Sequence, residues 1–532
     1  MQSKLSVLYS RASVGISSPL VSVETHVSHG MPGFTIVGLP ETAVKESKER
    51  VRSAIINSGL QFTNKKIIIN LAPADLPKEG GRFDLPIAIG ILAATGQLKS
   101  VSLQNFEFAG ELALTGQLRP ISGIIPFAVA TKHASRNLII PLENFFQANL
   151  IGNNIVYPAA TLLEVYEHLL NINIIDPINQ SILTNKSNIH SRVINTNNIN
   201  NLDIADIEGQ PHAKRALEIT AAGGHNLLMV GPPGTGKTML ASRLPSIMPE
   251  LSTEQALEVS AIYSLKGIER EQEWKVRPFR NPHHTVSSAA LVGGGSIPKP
   301  GEISLAHHGI LFLDELPEFS RYVLEVLREP IESGRIVIAR AKQQIELPAK
   351  FQLVAAMNPC PCGNRGNPNV NCQCSQDKIR KYLSKLSGPL LDRIDICIEV
   401  PNVPTELLTN NKIHNHYNSD TLNNFDNPHS SLFIRKNIQA ANTIQFVRQN
   451  KLNAHLNNKM IKYHCFLNEE CNKLMHLAIK KLKLSARSYY RILKVARTIS
   501  DLAGADQINL PQLQEAISFN KLPILDCINS VN

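Results

Sequence analysis

A glycine-rich segment of eight residues, 231–238, most constrains what this chain can fold into. It reads Gly-Pro-Pro-Gly-Thr-Gly-Lys-Thr, which matches the G-x-x-x-x-G-K-[ST] pattern of a loop that wraps phosphates with backbone N–H groups. Residues 226–230 read as a short buried strand and the residues after Thr238 as a helix, which argues against a chance glycine turn. The sequence therefore predicts a nucleoside triphosphate site. We expect its contacts to come from Gly231, Pro232, Pro233, Gly234, Thr235, Gly236, Lys237, Thr238 and Met239.

Acidic and amide side chains follow two later apolar segments. Asp314 and Glu315 end the run Gly-Ile-Leu-Phe-Leu-Asp-Glu at 309–315, and Asn358 follows the predicted strand Phe-Gln-Leu-Val-Ala-Ala-Met at 351–357. We predict that Thr238 and Asp314 bind Mg²⁺ and that Glu315 is the general base for the attacking water. Asn358 is predicted to lie between the ends of the first two strands and to orient that water.

Two arginines complete the predicted hydrolysis site. Arg393 lies in the segment Gly-Pro-Leu-Leu-Asp-Arg-Ile-Asp at 388–395, and Arg487 lies at the start of a helix. Arg393 can stabilise charge on the γ-phosphate, and Arg487 is placed to touch the nucleotide. An ordinary salt bridge from Arg393 to Asp392 or Asp395 is the alternative for the first position.

Together these residues resemble the magnesium-chelatase-like branch of the AAA+ ATPases, most closely the ComM/YifB group. Residues 207–217, 279–287 and 293–309 carry further family motifs, and the resemblance spans nearly the whole chain. It implies that Ile207, Gly209 and Gln210 lie by the adenine of ATP, that Arg393 acts on a neighbouring subunit and that Arg487 is a sensor in the lid. It also implies a hexameric ring. Proteins of the ComM group are bacterial DNA motors that promote branch migration during natural transformation and recombination, and the resemblance implies this role as well.

The N-terminal segment resembles the peptidase domain of Lon-type proteases without its chemistry. Residues 77–80 and 110–123 parallel the segments that precede the serine and the lysine of that family. Arg82 stands where the nucleophilic serine would fall, and Ile125 where the activating lysine would fall. A serine nucleophile needs an adjacent base, so the alignment implies a retained fold and a lost protease.

These features give an α/β fold class with several domains. We predict a Lon-protease-like (ribosomal S5 domain 2-like) α+β domain over 1–170, an Asn-rich linker over 171–203 and an AAA+ P-loop ATPase core over 204–404. A flexible polar segment over 405–431 and a basic helical lid over 432–532 follow. A length of 532 residues suits such a division.

Charge is concentrated in the predicted lid. The chain has a formal net charge of +10, whereas residues 431–500 alone hold fourteen Lys/Arg against two acids, 14 − 2 = +12. Such an imbalance favours a phosphate-rich partner over a solvated helical face. A predicted hairpin at 335–348 with Arg340 and Lys342 near its tip, and the glycine loop 293–295, are further candidate DNA contacts; surface loops with ordinary charges are the alternative. Few aromatic side chains are available for stacking, so we expect sequence-independent, salt-sensitive binding to single-stranded or branched DNA.

No apolar run approaches the length of a membrane span and no signal peptide is recognisable. The expected location is therefore cytoplasmic, with no membrane partner. Eight cysteines in such a chain do not indicate a disulfide framework.

Four cysteines lie within the fifteen residues 360–374, shortly after Asn358. Cys360, Cys362, Cys372 and Cys374 form two C-x-C pairs, a set that could bind a tetrahedral Zn²⁺; reduced, unliganded thiols are the alternative. The pairs His283-His284 and His307-His308 lack a matching ligand set, and we interpret them as structural or close to the nucleotide.

The sequence is compatible with three functions. An ATP-driven ring motor on DNA is favoured by the basic lid. A protein-remodelling chaperone of the magnesium-chelatase subunit type is the main alternative. An ATP-dependent protease is disfavoured by Arg82 and Ile125.

Overall fold

The computed structural model describes most of the chain, with gaps at both ends and at several loops. The described residues are 5–38, 42–98, 102–152, 155–177, 202–268, 270, 273–295, 299–339, 344–366, 370–402 and 430–520. Arg340 and Lys342, the predicted linker beyond residue 177 and most of the polar segment 405–431 lie outside them. Among the described helices, none combines the length and the apolar character needed to cross a membrane.

The N-terminal part is built on a seven-stranded mixed sheet in the order β3-β4-β2-β1-β5-β8-β9. Strands β1–β9 cover Leu5–Arg11, Leu20–Ser28, Gly33–Val37, Lys66–Ala72, Phe106–Phe108, Glu111–Leu112, Leu118–Arg119, Asn137–Pro141 and Val156–Ala159. Helices α1–α5 cover Thr42–Asn57, Asp84–Ala94, Ile124–His133, Phe145–Asn149 and Leu162–Leu169. Alternating burial along β2 puts every second side chain into the core. Residues 110–120 contain an antiparallel hairpin formed by β6 and β7.

The central part holds a five-stranded sheet in the order β11-β14-β17-β10-β18, parallel throughout. Its strands are β10 Leu227–Val230, β11 Phe279–Arg280, β14 Ile310–Leu313, β17 Gln352–Met357 and β18 Ile396–Glu399. Two antiparallel pairs project from it, β12 Gly293–Gly294 with β13 Lys299–Pro300 and β15 Arg335–Ala339 with β16 Gln344–Pro348. Helices α6–α14 cover Pro211–Gly223, Lys237–Ile247, Thr253–Lys266, Ser288–Val292, Glu302–Leu305, Arg321–Val326, Arg328–Ser333, Gln376–Leu383 and Gly388–Leu391. The mixed α/β class with a parallel sheet is confirmed.

Strands β10, β14 and β17 are buried along their whole length. Apart from Gln352 at the start of β17, they read as continuous apolar runs in the sequence, as strands covered on both faces do. Asp314 follows the end of β14, Asn358 follows the end of β17, and the glycine-rich loop follows the end of β10. Parallel strands end at one edge of the sheet, so those residues meet there.

The C-terminal part is helical and shares its core with the central sheet. Helices α15–α19 cover Ser431–Gln449, Asn458–His464, Glu469–Leu482, Ala486–Leu502 and Leu510–Ser518. One apolar cluster contains Met229 of β10 together with Ala441 of α15 and Leu493 of α18. The lid is therefore packed onto the sheet by apolar contact.

The N-terminal part touches the central part at two places. Gly123, which precedes α3, donates its backbone N–H to the carbonyl and the hydroxyl oxygen of Ser264 in α8, both at 3.1 Å. Ala261 of α8 is also buried in an N-terminal apolar cluster. In addition, Gly15 lies against Ile345 in the β15–β16 hairpin.

Candidate functional site

The glycine-rich loop joins β10 to α7 as the sequence predicts. Gly236 has φ of +82° and precedes the first helical residue, Lys237, so glycine supplies a conformation that other residues adopt at a cost. No side chain caps this helix start, and the first N–H groups of a helix have no partner within the helix. A helix N-terminus of this kind suits an anion. The loop geometry fits a bound triphosphate.

Lys237 lies inside the loop. Its Nζ donates to the carbonyl oxygens of Gly231 at 2.8 Å and Pro232 at 2.7 Å, and lies 3.3 Å from Asn358 Oδ1. Burial lowers the pKa of Lys237, while the nearby Asp314 and Glu315 act in the opposite direction. A desolvated ammonium group held by neutral carbonyls is well placed to favour a phosphate oxygen.

The predicted magnesium ligands lie side by side. Thr238 Oγ1 donates to Asp314 Oδ2 at 2.6 Å, and Asp314 Oδ1 accepts the N–H of Glu315 at 2.9 Å. A hydroxyl and a carboxylate oxygen at this spacing are hard-oxygen ligands that suit Mg²⁺. Glu315 has φ of +52°, a sparsely populated conformation for a residue with a side chain, and such residues cluster at active sites.

Asn358 occupies the position between the two motifs. It follows β17, which pairs with β10 on one side and β14 on the other. The backbone also joins the motifs, because the N–H of Gly231 donates to Met357 O at 3.2 Å. The buried Tyr382 directs its hydroxyl towards Asn358 O at 3.4 Å. The predicted placement of Asn358 between the strand ends agrees with this geometry.

A histidine that the sequence did not assign to a single role faces the predicted base. His284 Nδ1 lies 3.2 Å from Glu315 Oε2, and the His284 ring packs edge-on to Phe319 with centroids 6.5 Å apart. His284 follows β11, and β11 pairs with β14 in parallel. From the sequence, we interpret the His283-His284 pair as structural or as close to the nucleotide. For His284, the contact with Glu315 favours the position close to the nucleotide. Asp314 directly follows β14, whereas His284 lies four residues beyond the end of β11, so position along the chain alone does not identify it.

The two arginines meet at Glu332. Arg393 Nη2 lies 2.7 Å from Glu332 Oε1, and Arg487 Nη2 lies 3.4 Å from the same oxygen. Arg487 Nη1 also lies 3.3 Å from Asp392 Oδ2. The alternative partners considered for Arg393 were Asp392 and Asp395, whereas the observed partner is an acid of α12. Local sequence does not reveal this contact, since Glu332 is sixty-one residues from Arg393 (393 − 332).

The residues predicted near the adenine lie at the start of α6. Gln210 has φ of +54° and donates its side-chain N–H to Pro401 O at 2.6 Å. The residue before Pro401, Val400, donates its N–H to Val230 O at 2.7 Å, directly before the glycine-rich loop. Ile207 is buried in the core, and Gly209 has φ of +65°. Hydrogen bonds therefore link Gln210 to the start of the glycine-rich loop through Val400 and Pro401, which follow β18.

Arg82 and Ile125, which stand at the aligned serine and lysine positions, are both buried in the N-terminal part. Arg82 Nη2 donates to Ser122 O at 3.0 Å, and burial lowers the pKa of Arg82 to about 10. Ile125 is buried in the first turn of α3. Neither side chain can serve as a nucleophile or a base at neutral pH.

The four clustered cysteines come together in space. Their four Sγ atoms all lie within 4.8 Å of one another, and all four thiols are free. Burial raises the pKa of Cys360 to about 12, whereas the backbone N–H of Asn364 is the main reason why the pKa of Cys362 falls to about 6.

The pair His307-His308 is explained by hydrogen bonding. Both Nε2 atoms lie on Glu258 Oε2, at 3.0 Å and 2.8 Å. The backbone N–H of Lys350 donates to His307 Nδ1 at 3.0 Å, so Nε2 of a neutral His307 carries the hydrogen that Glu258 accepts. The cluster therefore needs no metal, and it ties α8 to the segment before β14.

Cations of the lid fall into two groups. Arg448 binds Asp501 through both carboxylate oxygens, at 2.6 Å and 2.8 Å, and Arg497 donates to the same acid at 3.0 Å. The charges of Arg448 and Arg497 are therefore paired with Asp501 inside the fold. The exposed cations among the described residues 431–500 are Lys436, Lys459, Lys462, Lys473, Lys480, Lys481, Lys483 and Arg487.

Two aromatic side chains of the C-terminal part are largely exposed. Tyr463 is 82% exposed and Phe466 is 71% exposed; Tyr463 belongs to α16 and Phe466 lies between α16 and α17. Exposure of this degree is unusual for large rings and leaves their faces free to stack on nucleobases. The sequence count of aromatic residues gave no sign of them, because exposure is a tertiary property.

Family comparisons cover most of the chain. A family model described as magnesium chelatase, subunit ChlI, matches residues 203–408. A model described as subunit ChlI of Mg-chelatase matches residues 23–144, and one for the ChlI C-terminal part matches residues 428–520.

Individual relatives agree with these matches. The chain is 50% identical over 520 residues to competence protein ComM of Haemophilus influenzae, covering 97% of this chain and 98% of that protein. It is 48% identical over 521 residues to YifB of Salmonella typhimurium, covering 97% of each chain. A magnesium-chelatase 38 kDa subunit of Rhodobacter capsulatus is 28% identical over 175 residues, which cover 29% of this chain and 49% of that subunit.

Proposed function

This chain belongs to the ComM/YifB family of magnesium-chelatase-like AAA+ proteins, and from that premise we propose that it is an ATP-hydrolysing ring motor that acts on DNA. The observation that carries the proposal is the combination of a hydrolysis site at the sheet edge with a lid that exposes seven lysines and one arginine. Branch migration of DNA during natural transformation and recombination is the specific role we propose, since a close relative is named a competence protein.

The proposed chemistry follows from the placement of the side chains. Lys237 and the N-terminus of α7 bind the triphosphate, and Thr238 with Asp314 hold Mg²⁺, which supplies charge neutralisation to the phosphates when bound. Glu315 accepts a proton from the attacking water, and Asn358 orients that water from between the two motifs. Arg393 stabilises negative charge on the γ-phosphate of a neighbouring subunit, and Arg487 acts as a sensor from the lid.

DNA binding is proposed to be electrostatic with a stacking component. The exposed lysines attract phosphates without reading sequence, and binding should therefore weaken steeply with salt. Tyr463 and Phe466 add faces on which unpaired bases can stack. This combination favours single-stranded or branched DNA over an intact duplex, whose bases are already stacked.

The proposal includes a hexamer, as the family resemblance implies, and a cytoplasmic location. It also includes a structural Zn²⁺ held by Cys360, Cys362, Cys372 and Cys374. The Lon-like part is proposed to be a scaffold or DNA guide that lacks protease activity.

A labelled four-way junction incubated with the protein, Mg²⁺ and ATP tests the proposal. We expect ATP-dependent conversion of the junction to two duplexes at low salt, with binding lost as salt rises. A protein that hydrolyses ATP yet neither binds nor moves the junction at low salt would refute the DNA-motor proposal. That result would favour the protein-remodelling chaperone, which the match to a magnesium-chelatase subunit supports.

A further inference from the structure

The four cysteines are spaced as the ligands of a single ion. Cys360 Sγ lies 3.4 Å from Cys362 Sγ and 3.6 Å from Cys372 Sγ, and Cys362 and Cys372 are 3.6 Å apart. Zinc–sulfur bonds of about 2.3 Å in a tetrahedron place the sulfurs about 3.8 Å apart. The observed separations therefore need only a small expansion to admit Zn²⁺. The separations are much longer than a disulfide bond.

A tight turn joins the first two thiols. Gly363 has φ of +80° and donates its N–H to Cys360 O at 2.9 Å. The backbone N–H groups of Asn364 and Arg365 are hydrogen-bonded to the sulfurs of Cys362 and Cys360. These hydrogen bonds hold the first two sulfurs in place within the turn.

The segment that carries the thiols has little core of its own. Of its described residues, 360–366 and 370–374, only Cys360 and Gly363 are buried. A segment with so few apolar contacts is held weakly by packing, and a metal ion supplies the missing stabilisation in small folds of this kind.

This segment contacts the hydrolysis site at two points. Cys360 follows Asn358 by two residues and is fully buried in the same apolar cluster as Met357 and Leu313. Gly363 packs directly on the phosphate loop, since a Cβ at Gly363 would lie 2.5 Å from Pro233 Cδ. Any movement of the cysteine segment therefore reaches both Asn358 and the loop.

We infer that Zn²⁺ bound by the four cysteines positions Asn358 and Pro233, so that zinc occupancy sets the rate of ATP hydrolysis. The inference rests on the proposed ATPase function. Binding consumes no oxidant or reductant: one Zn²⁺ replaces the protons of the four thiols, which leave to solvent. In this role zinc touches neither substrate nor water and acts by fixing the residues that do.

The test compares the full-length wild type with three variants. Cys374→Ser removes one ligand, Gln373→Ser changes an exposed neighbour in the same segment and keeps all ligands, and Gly363→Ala keeps the ligands while disturbing the contact with Pro233. Zinc content by mass spectrometry, thermal midpoint, affinity for a fluorescent ATP analogue, and kcat and KM for ATP are measured for each.

We expect one zinc per chain in the wild type and in Gln373→Ser. Cys374→Ser should lose zinc and lower kcat by about 10-fold to 100-fold. Gly363→Ala should retain zinc while lowering kcat, which separates positioning from metal binding. The thermal midpoint shows whether a low kcat reflects global unfolding.

Each contrary result has its own meaning. Wild type that contains no zinc and takes up none when Zn²⁺ is added would overturn the metal site. Zinc-loaded wild type with a Cys374→Ser variant of unchanged kcat and KM would overturn the positioning role and leave the ATPase intact. Zinc-loaded wild type without ATPase activity would overturn the proposed function itself.

Discussion

Glu315 is the residue whose assigned role can be tested most cleanly. Its carboxylate follows the predicted magnesium ligand Asp314 and faces His284. We predict that Glu315→Gln lowers kcat for ATP by about 10²–10⁴-fold, because the amide cannot accept the proton of water. Nucleotide affinity should change little, since Lys237 and the loop remain.

Steady-state hydrolysis and the affinity for a fluorescent ATP analogue provide the two measurements. Glu318→Gln is the matched control, because Glu318 lies three residues further on and pairs with Lys385 at 3.2 Å. A Glu315→Gln variant with near-normal turnover would show that another group is the base.

At the level of residues, the sequence predicts what lies next to a recognisable motif. Asp314 and Asn358 were found because parallel buried strands end together at one edge of a sheet. The contact of His284 with Glu315 and the meeting of two arginines at Glu332 were not found. Those contacts join side chains from separate elements, so they depend on packing that local pattern does not encode.

Among the elements, α8 and β14 are joined by a group that responds to pH. Burial lowers the pKa of His307 to about 4, and its hydrogen bond to Glu258 lowers the pKa of that acid. The other charged groups facing His307 are His308 and Lys350. His307 has an ordinary pKa near 6.5 when unfolded, so the unfolded chain takes up the proton first. Stability is then lost as pH falls from about 6.5 towards 4.

We therefore predict that the thermal midpoint of the wild type falls more between pH 7.5 and pH 5.0 than that of His307→Gln. The pKa difference of His307 between the unfolded and folded states lowers the free energy of unfolding by about 2 kcal/mol at pH 5. That loss corresponds to a fall of about 4–8 °C in the thermal midpoint for a domain of about 150–250 residues. His29→Gln changes an exposed histidine and should follow the wild type. Equal pH dependence in wild type and His307→Gln would contradict the assignment.

The end of α17 is the part of the lid most suited to DNA. Lys480, Lys481 and Lys483 are exposed there. We predict that changing all three to glutamate weakens junction binding at low salt and reduces the slope of log affinity against log salt by about 2–3. ATP hydrolysis without DNA should remain within about twofold, because none of the three contacts the nucleotide site.

Fluorescence anisotropy over a salt series measures both quantities. The matched control changes the same charge on the N-terminal part, with Lys45, Lys65 and Lys66 exposed there and replaced by glutamate. If both triple variants lose affinity equally, the lid is not the preferred binding surface.

Elements themselves were easier to predict than their partners. The buried strands of the parallel sheet and the long helix Ala486–Leu502 follow from apolar runs and from helical periodicity. The split of the lid cations into internal and exposed groups could not be read from sequence. Arg448 and Arg497 converge on one buried acid, Asp501, only after the helices pack.

At the scale of the whole molecule, hydrogen bonds and apolar packing connect the three parts of the chain. The N-terminal part is hydrogen-bonded to α8 through Gly123 and Ser264, and α8 is hydrogen-bonded through Glu258 to the segment before β14. β14 in turn leads to Asp314 and Glu315. A DNA or partner contact on the N-terminal part therefore has a continuous bonded route to the hydrolysis site.

Arg393 decides whether hydrolysis needs a neighbouring subunit. Within one chain its guanidinium is held by Glu332 at 2.7 Å and donates to Pro389 O at 2.6 Å. A role in trans requires that the neighbour's nucleotide compete with Glu332 for this group. Arg393→Ala and Lys237→Ala should each abolish most turnover, by about 10²–10³-fold, since each removes a charge that stabilises the phosphates.

Mixing the two inactive variants distinguishes the mechanisms. In a randomly mixed ring an intact site needs Lys237 from one subunit and Arg393 from the next, so about a quarter of the sites should regain activity. We expect this recovery after subunit exchange at equal concentrations. Mixing Lys237→Ala with a double variant that lacks both residues is the control and should give none. If Arg393 acts within its own chain, every site in either mixture lacks one group, and activity will stay at the level of the separate variants.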